Sequence, residues 1–328
     1  MIPLNQRRIN IDTSNKCTLQ CPGCRREDFR RKGLPIPGEE LTIDQFDKIT
    51  DFFKQVSFCG TFSDPIFNRH FLDILKMCKS KNVKARVYNA ASHKPEKWYK
   101  EAFRAYTGAR WLFGIDGLPE ESHKYRINQD GRKLFNMMLL AKEEGIKVEW
   151  QYLIFDYNKD SIPECKELAL KHGIKFTLCA SNRFKISDYL EQPRKPVAFK
   201  EGDYNLKPKQ EQFKKNDTAK SQILNPKCML SDRSMSYTNE GNIMPCCWTN
   251  TVNYQDNPKF SNEALIKLTK KKLHIDNNKS VDDILNSDEW KDFWDLLKNN
   301  PQNAPDRCKQ MCSGPINENV EMDLYEAY

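Results

Sequence analysis

Residues 8–24 read RINIDTSNKCTLQCPGC. The first five, Arg8-Ile9-Asn10-Ile11-Asp12, form a strand-like run, and three cysteines follow closely, Cys17, Cys21 and Cys24, spaced C-x3-C-x2-C. Three thiolates this close suit three irons of a [4Fe-4S] cubane and leave the fourth iron open. An open iron binds a small molecule rather than merely passing electrons. A zinc site using Cys21 and Cys24, or an accidental cluster, is the competing reading; a separate cysteine set downstream argues against it.

The chain around this loop has 328 residues, enough for one large α/β domain and a smaller one. Its hydrophobic fraction of 38% and charged fraction of 30% are ordinary for a soluble protein, if somewhat polar. No apolar run approaches the roughly 20 residues of a membrane span. The opening Met1-Ile2-Pro3-Leu4-Asn5-Gln6-Arg7 lacks the apolar stretch of a secretory signal. A cytoplasmic, reducing location is therefore expected, where twelve cysteines point to metal rather than disulfides. The net charge of +8 is spread thinly, with short runs such as Lys270-Lys271-Lys272. That pattern reads as a solvated surface, so neither a membrane nor a nucleic-acid partner is expected.

From residue 8 to about 179, short apolar runs alternate with amphipathic stretches, the sequence form of βα units around a parallel sheet. Strands are expected near 8–12, 56–60, 83–88, 111–116, 146–154 and 174–178. Helices are expected near 41–54, 68–80, 95–106, 131–144 and 160–172, with a sixth near 186–190. Residues 191–227, rich in Lys, Pro, Gln and Asn, read as a linker or surface loop. This gives a barrel domain over 1–190, a linker over 191–227 and a second domain over 228–328. Within 262–300 the spacing is helical, and the stripe Trp290, Phe293, Trp294 and Leu297 reads as core.

The cysteine spacing after a first strand resembles that of the radical S-adenosylmethionine (SAM) enzymes, whose fold is a partial (β/α)6 barrel. The resemblance implies a SAM-binding [4Fe-4S] cluster on Cys17, Cys21 and Cys24, with SAM chelated at the open iron. It also implies one-electron cleavage of SAM to a 5'-deoxyadenosyl radical, which abstracts hydrogen from carbon. Cys59-Gly60-Thr61-Phe62-Ser63-Asp64-Pro65 is similar to the family's Gly-Gly-Glu-Pro motif, which places Gly60, Ser63 and Asp64 at the SAM amino group. Tyr88-Asn89-Ala90 resembles its Thr-Asn-Gly segment, implying that Asn89 reaches the ribose. Phe113-Gly114-Ile115-Asp116-Gly117-Leu118, followed by His123-Lys124-Tyr125-Arg126, is similar to the family's Ser-Ile-Asp-Gly then Tyr-Arg pattern. Gly114 stands where that pattern has serine, and Arg126 is the candidate for the SAM carboxylate, which a guanidinium fork suits.

Strand alternation adds a reading independent of family. If Asn89 and Gly114 face the lumen, so does Asp116, and the fifth strand offers Glu149 and Gln151, or else Val148, Trp150 and Tyr152. Glu149 and Gln151 are taken as inward, with Asn10 and Asp12, giving a polar lumen for a polar substrate. Asp116, Glu149 and Gln151 are thus the candidate catalytic groups, with structural ion pairing as the competing reading.

Downstream, Cys228, Gly241 and Cys246 make a C-x12-G-x4-C run that resembles the opening of the twitch and SPASM auxiliary-cluster domains. Residues 236–238 and 242–244 would be hairpin strands joined by the turn Asn239-Glu240-Gly241. Cys308 and Cys312 bring the thiolates to four, enough to close a second, auxiliary [4Fe-4S] cluster in a small α+β twitch domain. Cys247 adjoins Cys246, and the glycine spacing selects Cys246; zinc on the same four residues is the alternative. Of the other cysteines, Cys78 and Cys165 read as packing, while Cys59 and Cys179 end strands near the proposed site.

The expected activity is an oxidoreductase or modifying enzyme that acts on a peptide or protein side chain and takes electrons from a flavodoxin- or ferredoxin-type donor. Against a peptide, the first strand begins near residue 8 and leaves no room for an N-terminal leader-binding domain. Oxidation or rearrangement of a small polar molecule, such as a sugar, alcohol or nucleotide, is the alternative. A non-catalytic metal- or nucleic-acid-binding protein is the alternative from another class.

Overall fold

A computed structural model describes residues 3–155, 157–180, 224–230, 235–250, 262–313 and 324–326. In chain order the strands are β1 (Arg8–Ile11), β2 (Gln55–Phe58), β3 (Lys84–Asn89), β4 (Arg110–Gly114), β5 (Lys147–Ile154), β6 (Lys175–Ala180), β7 (Met235–Tyr237), β8 (Ile243–Met244) and β9 (Leu324–Glu326). The first six helices are α1 (Arg25–Arg31), α2 (Ile43–Phe52), α3 (Phe71–Ser80), α4 (Glu96–Ala105), α5 (Gly131–Glu143) and α6 (Ile162–Lys171). After them come α7 (Lys227–Leu230), α8 (Glu263–Lys267), α9 (Val281–Leu285), α10 (Asp288–Asn299) and α11 (Asp306–Cys312). The six expected strands and the first five expected helices are all present. The expected helix at 186–190 and the linker over 191–223 lie outside the described residues.

The fold is mixed α/β with a mostly parallel sheet, and the chain divides into two compact units. One unit takes Met1–Asn15, Pro37–Ala85 and Thr218–Glu318. Its strands run in the order β8-β7-β1-β2, with β7, β1 and β2 parallel and β8 antiparallel at the edge. The other takes Lys16–Ile36, Arg86–Asp217 and Asn319–Tyr328, with strands in the order β3-β4-β5-β6-β9 and only β9 antiparallel.

Within the first unit, Thr42 and Gln45 form a capping box that starts α2, each side chain bonding the other's backbone N–H. Phe46 of α2 then meets Phe58 of β2 at 5.8 Å, and Phe71 of α3 meets the same ring edge-on at 5.2 Å. Register places Ile11 and Tyr237 on the face of Phe58. The alternate residues Asn10, Ser57 and Ser236 therefore share the opposite, polar face.

In the second unit, Phe103 of α4 meets Trp111 of β4 edge-on at 5.0 Å, and Phe135 of α5 meets Trp150 of β5 at 5.4 Å. These rings fix the helix-facing side. By register, Gly114 with Gln151 and Leu112 with Glu149 line the other side, here called the inner face. Buried area from such rings dominates core energetics.

The hairpin expected at 236–244 is present as β7 and β8, but β7 also pairs with β1 in parallel. Residues that the sequence assigns to a second domain thus extend the sheet of the first strand. Gly241, at φ +79, closes the turn, where an added Cβ would meet the His274 ring at 2.0 Å. The aromatic stripe of α10 is core: Trp290, Phe293 and Leu297 are all buried. We expect Phe58→Ala to cost about 3–5 kcal/mol in urea unfolding, because a fully buried ring in contact with two helices is lost.

Candidate functional site

The cysteine loop runs straight into α1, with Cys24 as its N-cap residue. Cys21 is buried, while Cys17 and Cys24 are half-buried. The Cys24 N–H bonds the Cys21 carbonyl at 2.8 Å, and the Leu19 N–H donates to the Cys17 Sγ at 3.4 Å. The segment before α5 is bonded to the loop. Gln20 N–H bonds the Ile127 carbonyl at 3.1 Å, and the Asn128 amide bonds the Thr18 carbonyl at 3.2 Å.

Two arginines attend these thiols. Arg26 of α1 donates to the Cys17 carbonyl at 3.4 Å; burial lowers its pKa, and charge on Cys17 and Cys24 opposes that. For Arg126 burial also disfavours the charge, but Asp116 and Cys21 outweigh it, so its pKa is raised. Positive charge beside a thiol favours the thiolate, the form that ligates metal. α1 itself was not expected from the sequence; its signal was the acidic first turn, Glu27 and Asp28, and the basic last turn, Arg30 and Arg31.

Arg126 is held by Asp116, with Nε 2.8 Å from Oδ2 and Nη2 3.3 Å from Oδ1. Asp116 is fully buried and also accepts the Leu153 N–H at 2.8 Å. Of the two readings the sequence offers for it, catalytic carboxylate or structural ion-pair partner, the ion pair is present: Asp116 orients Arg126 and ties the end of β4 to β5. Gly114 explains itself in the same cluster, since an added Cβ would stand 2.8 Å from Arg126 Nη2. Where the family pattern has serine, this chain gives the room to the guanidinium.

The expected facing of Asn89 is corrected. Register pairs it with Phe113, on the helix-facing side, and its Oδ1 accepts from the Tyr99 hydroxyl of α4 at 3.2 Å. Asn89 and Gly114 do not share a face; Tyr88, paired with Leu112, shares that of Gly114. Glu149 and Gln151 do stand on the inner face. Glu149 is buried, accepts from Thr177 at 2.8 Å, and has Arg110 and Lys175 each at 3.9 Å. Gln151 is half-buried and bonds Cys179, whose thiol burial pushes up to about 12. Cys78 and Cys165 are fully buried packing residues.

In the other unit, Asp12 organises the loop after β2. Its Oδ2 accepts the N–H groups of Thr61 and Phe62 at 2.8 and 2.9 Å, and its Oδ1 accepts the Ser63 hydroxyl at 2.6 Å. Gly60 is obligatory beside it, because a Cβ would lie 2.3 Å from Asp12 Oδ1. Asp64 is buried and caps the turn Pro65–Phe67, accepting from Ile66 N–H at 3.3 Å. The expected lumen residue Asp12 instead directs its carboxylate to this loop.

The second cysteine set also assembles. Cys228, Cys246, Cys308 and Cys312 line one small cavity with Pro226, Pro245, Trp248 and Met311 among its walls, and Cys247 is not among the lining residues. Arg7, fully buried, donates to the carbonyls of Cys228 and Met229, and Asn225 N–H bonds the Cys312 carbonyl at 2.8 Å. Burial and the charges of the other three thiols drive the Cys228 pKa well up, and burial raises that of Cys308 too. Among the described residues no three His, Cys, Asp or Glu side chains converge tightly enough to grip a single ion. Four thiols around one cavity match in number the donors that an iron-sulfur cluster takes, and such a cluster spreads its ligands over several irons. No helix among the described residues is long and apolar enough to cross a membrane.

No protein-family model matches the chain, and the comparison with curated proteins finds no match. Solved structures do match. SuiB of Streptococcus suis superposes with a TM-score of 0.52 at 13% identity, covering 83% of this chain and 67% of that one. Its complex with S-adenosylmethionine gives 0.53 at 13% identity, over 83% and 65%. A histidine-tagged form of anSMEcpe with bound AdoMet gives 0.53 at 11% identity, over 94% and 92%. The chain thus spans about two thirds of SuiB's length. The chain therefore shares the fold of SuiB and anSMEcpe.

Two stability measurements test the site's framework. Asp12→Ala is expected to cost about 1.5–3 kcal/mol, since it removes charge-assisted bonds to three donors. Arg126→Met should cost about 3–5 kcal/mol by removing the counter-charge of the buried Asp116 carboxylate, and adding Asp116→Leu should recover part of that loss in urea unfolding.

Proposed function

We propose that the chain is a radical SAM enzyme with one SAM-binding and one auxiliary [4Fe-4S] cluster. The observation that carries this reading is the cysteine loop after β1: three thiols within eight residues, an N–H donated to Cys17 Sγ, and two arginines alongside. When bound there, a site-open cluster supplies one-electron cleavage of SAM and hydrogen abstraction from carbon.

The residues around it bind and orient. Cys17, Cys21 and Cys24 hold the cluster, and Arg26 and Arg126 balance its charge. Gly60, Ser63 and Asp64 keep the roles their motif implies toward the SAM amino group, with Asp12 fixing their loop. Arg126, already oriented by Asp116, is the candidate for the SAM carboxylate. Asn89, turned toward Tyr99, is withdrawn from the ribose. Cys228, Cys246, Cys308 and Cys312 would hold the auxiliary cluster in a twitch-type segment, where it would supply a one-electron acceptor or a hold on the substrate.

For the substrate, a peptide or protein side chain is the first reading. It is supported by SuiB bound to precursor peptide SuiA, with a TM-score of 0.53, and by anSMEcpe bound to AdoMet and Cp18Cys peptide, with 0.51. A small polar molecule is the second, favoured by the polar inner face of Glu149, Gln151 and Thr177. A flavodoxin- or ferredoxin-type protein supplies the electrons.

Anaerobic purification, reconstitution with iron and sulfide, and assay of reduced protein with SAM test the proposal. About eight irons per chain and formation of 5'-deoxyadenosine are expected. Cys17→Ala, Cys21→Ala and Cys24→Ala should each abolish the product. Zinc in place of iron, or iron without SAM cleavage, overturns the reading.

A further inference from the structure

The cavity of the second cysteine set is lined by Trp248 and Arg307 as well as its thiols. Trp248 lies in the turn Cys247–Thr249, directly after the cysteine pair. Its indole Nε1 is buried and has no hydrogen-bond partner among the described residues. An indole N–H is a donor only, so its partner must be an acceptor. Arg307 directly precedes Cys308, and its guanidinium stands 5.8 Å from the centre of the Trp248 ring. Both side chains line the same cavity as Cys228, Cys246, Cys308 and Cys312.

A guanidinium does not give up its proton in a protein, so the cavity pairs permanent positive charge with four thiols. A group that is negative overall and accepts hydrogen bonds through sulfur suits both side chains. A four-cysteine [4Fe-4S] cluster is such a group, and one-electron reduction makes it one charge more negative. Hydrogen bonds to the sulfurs and nearby charge are the levers by which a protein sets cluster potential.

We infer that Trp248 and Arg307 tune the auxiliary cluster: the Trp248 N–H donates to one of its sulfurs and Arg307 places a cation beside it. Together they favour the reduced state and raise the potential, which suits a cluster that receives an electron. This rests on the reading of the Cys228 set as a cluster site. Neither residue ligates iron or touches substrate; both act through the cluster.

The test uses the full chain with Cys17, Cys21 and Cys24 all changed to Ala, so that only the downstream set carries a cluster. After anaerobic reconstitution, iron is counted and the cluster is titrated potentiometrically with EPR detection. In that background Trp248→Phe and Arg307→Gln should each keep about four irons per chain and move the midpoint to a more negative potential, the double variant further. An unchanged midpoint with full iron overturns the inference while leaving the cluster reading intact. Where Trp248→Phe loses iron, Trp248→His, which retains a ring N–H, decides: recovery of iron and midpoint supports the donor role, and failure overturns it. A parent that takes up zinc and forms no cluster overturns the site reading, and the inference with it.

Discussion

A strand in this sheet has one face that must stay dry, and large aromatic side chains take that face. Phe58, Trp111 and Trp150 each meet a ring from a covering helix, and their burial leaves no choice about where the alternate residues point. Asn10, Ser57 and Ser236 in one unit, and Glu149, Gln151 and Thr177 in the other, are polar because the opposite face is spoken for. A one-residue slip would press these groups against the helices and turn the rings to the inner face. The polar inner faces are thus a consequence of aromatic packing, and the chemistry inherits its geometry from it.

Charge is managed with equal economy at the cysteine loop. Arg126 and Asp116 would each be costly to bury alone. Paired, they bring a fixed cation beside Cys21, and Gly114 yields the space a side chain would occupy. The hydrogen bonds around Asp116 reach the next strand through Leu153 and the following loop through Tyr157, whose hydroxyl bonds its carbonyl at 2.6 Å. Arginine orientation at the thiols is therefore secured by β4, β5 and the loop beyond it.

Much of this was legible beforehand because it depends on local periodicity. The six strands, five of the helices, the hairpin turn at Gly241 and the inward placement of Glu149 and Gln151 follow from spacing two and spacing 3.6. Asn89 was misplaced because a polar residue on a helix-facing side is tolerable only with a partner, and that partner, Tyr99, belongs to the next helix. Asp116 looked available because partners such as Arg126 and the Leu153 amide are brought to it only by the fold. Local pattern carries no record of such pairings. The parallel match of β7 with β1 joins residues more than two hundred apart in sequence, and no periodicity announces it.

That match gives β1 two duties within its unit. Ahead of its first residue, Arg7 reaches the carbonyls of Cys228 and Met229 and so positions the helix that bears one of the four clustered thiols. Just past its last residue, Asp12 bonds the Tyr237 carbonyl through its N–H at 3.0 Å and clamps Thr61, Phe62 and Ser63 with its carboxylate. Four residues of strand therefore stand between the anchor of the second cysteine set and the anchor of the motif loop. Displacement of β1 along its own axis would disturb both anchors at once. The fully buried Ile9 and Ile11 oppose such displacement, so the apolar half of a four-residue strand holds the polar arrangements at its two ends in register.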